Sequence, residues 1–116
     1  MGTVHAAFDR QLDRKVALKL VRASHRDDPR LRDRMLREAQ AMARLSHPNV
    51  IPVFEVGELG SSLYLAMEYV DGQSLARWQR TPRPWRAVLE MYRNVGAGLS
   101  AAHEAGLIHR DFKPEN

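Results

Sequence analysis

A chain of 116 residues is long enough for one small domain, and 44% hydrophobic with 28% charged residues is the composition of an ordinary folded protein, not of a disordered or low-complexity one. The absence of cysteine excludes a disulfide framework and a thiolate metal site, and no apolar run approaches the roughly 20 residues that span a bilayer. The formal charge of +4 raises nucleic acid as a partner, but Arg22, Arg26, Arg30, Arg32, Arg34 and Arg37 alternate with Asp27, Asp28, Asp33 and Glu38, so a solvated helical face and no nucleic-acid binding are expected.

From the N-terminus, the first clear period is the alternation in Lys15 to Val21, with Val16, Leu18 and Leu20 on one face and Ala17, Lys19 and Val21 on the other, which predicts a strand. Asp27 and Asp28 before Pro29 read as an N-cap and a first-turn proline; Leu31, Met35, Ala39, Met42 and Leu45 then recur at helical spacing. This helix should end before His47-Pro48, because a proline disfavours helical backbone in the residue preceding it. Val50 to Val56 and Leu63 to Tyr69 read as two further strands, joined by a turn through Gly57 and Gly60-Ser61-Ser62. Asp71-Gly72 breaks the pattern, and the change of composition there divides the chain into residues 1–70 and 71–116. Ser74 is placed to cap a short helix to about Arg80, and Thr81-Pro82-Arg83-Pro84 forms a stiff connector. From Trp85, the residues Val88, Met91, Tyr92, Val95, Leu99 and Ala102 keep helical period to about Glu104, with Gly106 as the cap.

The chain then reaches His109-Arg110-Asp111-Phe112-Lys113-Pro114-Glu115-Asn116, five specified residue types at fixed offsets. This string resembles the protein kinase catalytic loop H-R-D-L-x-x-x-N, with Phe112 in place of Leu. The resemblance implies that Asp111 accepts the proton of a substrate hydroxyl and that Asn116 holds Mg2+. Lys113 is similar to the lysine of kinases that phosphorylate serine and threonine, where it neutralises charge on the transferring group. Val16-Ala17-Leu18-Lys19 resembles V-A-I-K, which implies Lys19 on the α- and β-phosphates of ATP. Glu38 stands three residues after Met35 and four before Met42, so it faces the apolar side of its helix, where an unpaired carboxylate is costly. Its expected partner is Lys19, the pair that the family uses; the alternative is Arg34, one turn earlier.

Met67-Glu68-Tyr69-Val70-Asp71-Gly72 resembles the family's hinge, which implies adenine bound by the backbone of Glu68 and Val70, Met67 at the back of the pocket, and Ala17 small enough to admit the ring. Gly2 and Val4 match the last glycine and the valine of G-x-G-x-x-G-x-V, and Ala6-Ala7-Phe8-Asp9 would continue as a strand. The first two glycines and a D-F-G motif are not within these residues. The expected fold class is thus α+β, a truncated protein-kinase-like fold. It comprises a small antiparallel N-lobe sheet with one packed helix over 1–70, then the hinge exit, the first C-lobe helices and the catalytic loop over 71–116. The implied reaction is transfer of the ATP γ-phosphoryl group to a Ser or Thr hydroxyl of a protein substrate, in the manner of bacterial kinases; the alternative is a non-catalytic kinase-like fragment or interaction module. No leader-like segment follows Met1, and a cytoplasmic location is expected. The stripe Val88, Met91, Val95 and Leu99 would lie uncovered, and self-association through it is the corresponding expectation.

Overall fold

The computed structural model describes residues 3–22, 29–60 and 62–116. Four strands, β1 (Thr3–Asp9), β2 (Arg14–Arg22), β3 (Val53–Leu59) and β4 (Ser62–Glu68), form one antiparallel sheet in the order β1-β2-β4-β3. The β1–β2 turn is held by Asp9, whose carboxylate accepts from the backbone N–H groups of Gln11 (3.0 Å) and Leu12 (3.1 Å), while Asp13 takes a φ of +49°.

Strand β3 begins three residues later than the alternation at Val50 predicts. Pro52 has no N–H to give a ladder, and it contributes only its carbonyl, which accepts from Glu68 N at 3.1 Å. A register shift between Val53 and Glu55 then carries the strand to Leu59. Gly57, expected in the turn, lies inside β3. The side chain of Tyr64 on β4 crosses it so closely that a Cβ there would stand 2.5 Å from two ring carbons and the hydroxyl oxygen. The turn falls instead at Gly60, with a φ of +59°; Ser61 lies outside the described residues.

Helix α1 (Pro29–Arg44) starts on the expected proline and stops short of His47-Pro48; the Asp27–Asp28 cap lies outside the described residues. Its Met35, Glu38, Ala39 and Met42 face Val21, Leu63 and Leu65 of the sheet across an apolar gap of about 90 Å3. Among the described residues Val16, Ala39, Leu63, Leu65 and Ala66 are the buried apolar ones.

The second half is helical. Ser74 Oγ accepts from Arg77 N (3.4 Å) at the start of α2 (Leu75–Trp78), which is shorter than expected. The connector folds back so that the Arg83 guanidinium lies 4.9 Å from the Trp78 ring centroid, and the Gln79 amide hydrogen-bonds the Tyr92 hydroxyl. Helix α3 (Trp85–Glu104) ends on Gly106 at φ +75°, with Leu107 N donating to Ala102 O (2.9 Å), the double turn that a left-handed glycine permits. Gly98 is the buried residue of α3, and a Cβ there would lie 2.5 Å from Asn49 O, so the glycine lets the loop of the first half seat directly on the helix of the second.

The apolar face left open is not the expected stripe. Val88, Met91, Val95 and Leu99 are half-buried, whereas Trp85 (69% exposed), Leu89 (52%) and Tyr92 (44%) form the open side. Among the described residues no helix is long and apolar enough to cross a membrane.

Candidate active site

The register of the sheet sets the first group of residues. Ala17 pairs with Ala6 on β1 and Met67 on β4; the neighbouring row pairs Lys19 with Val4 and Leu65. Directly opposed residues share a face, so Val4, Ala17, Lys19 and Met67 lie together on the side where α1 packs. Lys19 is exposed there, and Ala17 and Met67 are half-buried. Glu68 and Val70 follow at the exit of β4, both exposed. Gly2 lies outside the described residues.

The second group sits on the loop after α3, and its geometry is local. Asp111 Oδ1 is 3.0 Å from Lys113 Nζ, and Asp111 Oδ2 accepts from the Asn116 side-chain amide at 3.0 Å, which also donates to Asp111 O at 2.7 Å. The Lys113 ammonium, then the Asn116 amide, hold the Asp111 carboxyl below the usual carboxylate range, with His109 adding a smaller pull. Asp111 is therefore ionised at neutral pH, with both oxygens oriented and its surface open to a substrate. The His109 ring meets Phe112 edge-on at 5.5 Å, so the aromatic at the usual leucine position packs against the loop's own histidine. Helix α2 supports the loop from outside, Ala76 N donating to Pro114 O at 2.8 Å.

Glu38 joins the two groups, but not through the expected partner. Its Oε1 is 2.8 Å from Arg110 Nη2 and 3.2 Å from Arg34 Nε, and Lys19 makes no ion pair among the described residues. The expectation that Glu38 faces the apolar side holds, since it lines the gap behind α1. The pairing is corrected: two guanidiniums already satisfy the carboxylate. Arg34 was the alternative, whereas Arg110 reaches Glu38 from the loop after α3 with a φ of +61°, a backbone state that no sequence pattern announces. Arg110 and the Asn49–Gly98 contact are the features that sequence reasoning missed; a glycine inside an otherwise apolar helix was the available signal for the second.

The donor set bears on a magnesium ion. The Asn116 amide nitrogen is committed to Asp111, and its Oδ1 meets no donor among the described residues, so Asn116 Oδ1 is a hard oxygen of the kind that holds Mg2+ together with phosphate oxygens. Among the described residues no cluster of three or more His, Asp or Glu side chains forms a metal site on protein ligands alone.

Comparison with known proteins gives a consistent result. The profile of the family described as "Protein kinase domain" matches residues 1–116. Serine/threonine-protein kinase PknE of Mycobacterium tuberculosis is 44% identical over 119 residues, covering 100% of this chain and 21% of that protein. PknL of the same organism is 41% identical over 117 residues, covering 99% of this chain and 29% of that protein. The crystal structure of the Mycobacterium tuberculosis PknI kinase domain superposes with a TM-score of 0.80 at 35% identity, over 100% of this chain and 48% of that domain. The chain thus spans 21% to 29% of these two curated relatives' length and 48% of the solved domain.

Proposed function

We propose, since the chain belongs to the protein kinase family, that these residues carry the nucleotide face and the catalytic loop of a serine/threonine protein kinase. The observation that carries the proposal is the Asp111 loop: an exposed, ionised carboxylate held on one oxygen by Lys113 and on the other by Asn116. Phosphoryl transfer needs little covalent chemistry from the protein and much positioning, so such a loop is suited to accept a hydroxyl proton and steady the charge that develops beside it.

In this reading Lys19 takes the α- and β-phosphates, Val4 and Ala17 lie against one side of the adenine with Met67 at the back of its pocket, and the backbone of Glu68 and Val70 reads its edge. Gly2 would add a backbone contact. Asn116 Oδ1 would hold Mg2+, which when bound supplies counter-charge for the phosphates. Asp111 orients the Ser or Thr hydroxyl and receives its proton; Lys113 stays within reach of the same acceptor. Glu38 would exchange Arg110 for Lys19 when the site closes, the family's way of holding the phosphate-binding lysine.

The test is a chimera in which these residues replace the corresponding 48% of the PknI kinase domain. It should phosphorylate a serine peptide in preference to its tyrosine analogue, and Asp111→Asn should abolish turnover while the fold, followed by circular dichroism, is kept. Turnover undiminished by Asp111→Asn would refute the assignment.

A further inference from the structure

The charge of this chain is not spread evenly. Residues 72–89 contain Arg77, Arg80, Arg83 and Arg86 and no acidic residue, so this stretch holds the whole formal excess of +4, and elsewhere basic and acidic residues balance at 14 each. All four arginines are exposed, and none has a carboxylate partner among the described residues.

The segment is also built rigidly. The Arg83 guanidinium lies over Trp78 at 4.9 Å and the Arg86 guanidinium over Trp85 at 5.3 Å, which restrains two long side chains while leaving their N–H edges open. The Gln79–Tyr92 hydrogen bond fixes α2 to α3, and Ala76 N–Pro114 O fixes α2 to the loop that carries Asp111.

We infer that the α2–α3 hairpin is a docking surface for an acidic protein segment, bound through Arg77, Arg80, Arg83 and Arg86. Every cation in the stretch is arginine, although lysine would serve equally for a diffuse field; the planar fork of arginine is the group that matches individual carboxylates in bidentate fashion. An anionic membrane would be attracted by lysine and arginine alike, so it does not account for a stretch in which every cation is arginine. The link from Ala76 to Pro114 sets the surface beside the catalytic loop. A substrate with an acidic stretch flanking its Ser or Thr would therefore be held where its hydroxyl reaches Asp111, a use that rests on the kinase reading; the docking itself does not.

The experiment measures binding, which kinase activity does not affect. Fluorescence anisotropy follows a labelled peptide alternating Ser with Glu and Asp, titrated with the 116-residue chain. Arg77→Gln with Arg80→Gln and Arg83→Gln should weaken binding roughly tenfold or more, since several exposed pairs are lost together. Arg10→Gln with Arg44→Gln and Arg93→Gln removes the same charge elsewhere and should change affinity little. Replacing all four patch arginines by lysine should also weaken it, because charge is kept and the fork is lost. The inference is overturned if wild-type protein does not bind the peptide, if the two glutamine triples lose affinity equally, or if phosphatidylglycerol vesicles or a DNA duplex bind through the patch more tightly than the peptide. It is likewise overturned if the lysine set binds as well as wild type.

Discussion

In the proposed kinase reading Asp111 is the residue on which the chemistry turns, and its protonation is set by two neighbours reaching it from the same loop. A depressed carboxylate pKa favours the folded loop above the ordinary carboxylate range, and that contribution is lost as pH falls through the folded value. Replacing Lys113 by Met and Asn116 by Ala should raise the Asp111 pKa in two steps, the lysine step being the larger; carbon-13 NMR titration of the side chain reads this directly. An unmoved titration would mean that the loop geometry is not populated in solution. Glu38 poses the other question at this scale. If Arg110 restrains it, Arg110→Gln should release Glu38 toward Lys19, and in the PknI chimera the Lys19→Met and Glu38→Gln losses in kcat/KM should become less additive than in the parent. Equal additivity in both backgrounds would leave Glu38 a partner of Arg34. Sequence reasoning found the residue and the face it occupies, because helical spacing fixes a face; it missed the partner, because a backbone φ of +61° at Arg110 leaves no pattern.

Among the elements, the strands and helices whose periodicity is strong were legible, and the departures have local causes. Strand β2 alternates as read, with one face turned to α1, while β3 is displaced by the missing N–H of Pro52 and its bulge. Gly57 departs from the turn that the sequence predicts because glycine marks turns and close approaches alike, and only the Tyr64 ring decides between them. Helix α3 offers a paired test of that distinction. Gly96 has open space around it, so Gly96→Ala should stabilise the protein by about 0.5–1 kcal/mol through helix propensity. Gly98 faces Asn49 O, so Gly98→Ala should instead cost about 1–3 kcal/mol by overpacking, despite the same gain in propensity. Urea denaturation distinguishes them. Two stabilising substitutions would mean that the Asn49 loop does not seat on α3.

For the whole molecule, the open apolar side of α3, together with Ile108 (73% exposed) and Phe112 (55%), is more surface than an isolated chain hides easily. The 116-residue polypeptide should self-associate in sedimentation velocity, and Leu89→Glu should shift it toward monomer where Val95→Ala does not; a concentration-independent monomer would count against this. The α+β class and the order of elements could be read in advance because each rests on periodicity and on turn residues. The excess of charge in residues 72–89 is equally written in the sequence; what the structure adds is that its four arginines are exposed and that Arg83 and Arg86 stand against Trp78 and Trp85. The central claim joins the Lys19 face and the Asp111 loop into one site, and a single-turnover measurement on the PknI chimera with saturating ATP and Mg2+ tests it most directly. Asp111→Ala should slow the chemical step by roughly 10²- to 10⁴-fold with ATP affinity nearly unchanged, and Lys19→Met should lower both. A chimera in which Asp111→Ala transfers phosphoryl groups at the parent rate, or in which Lys19→Met leaves ATP affinity intact, would contradict it.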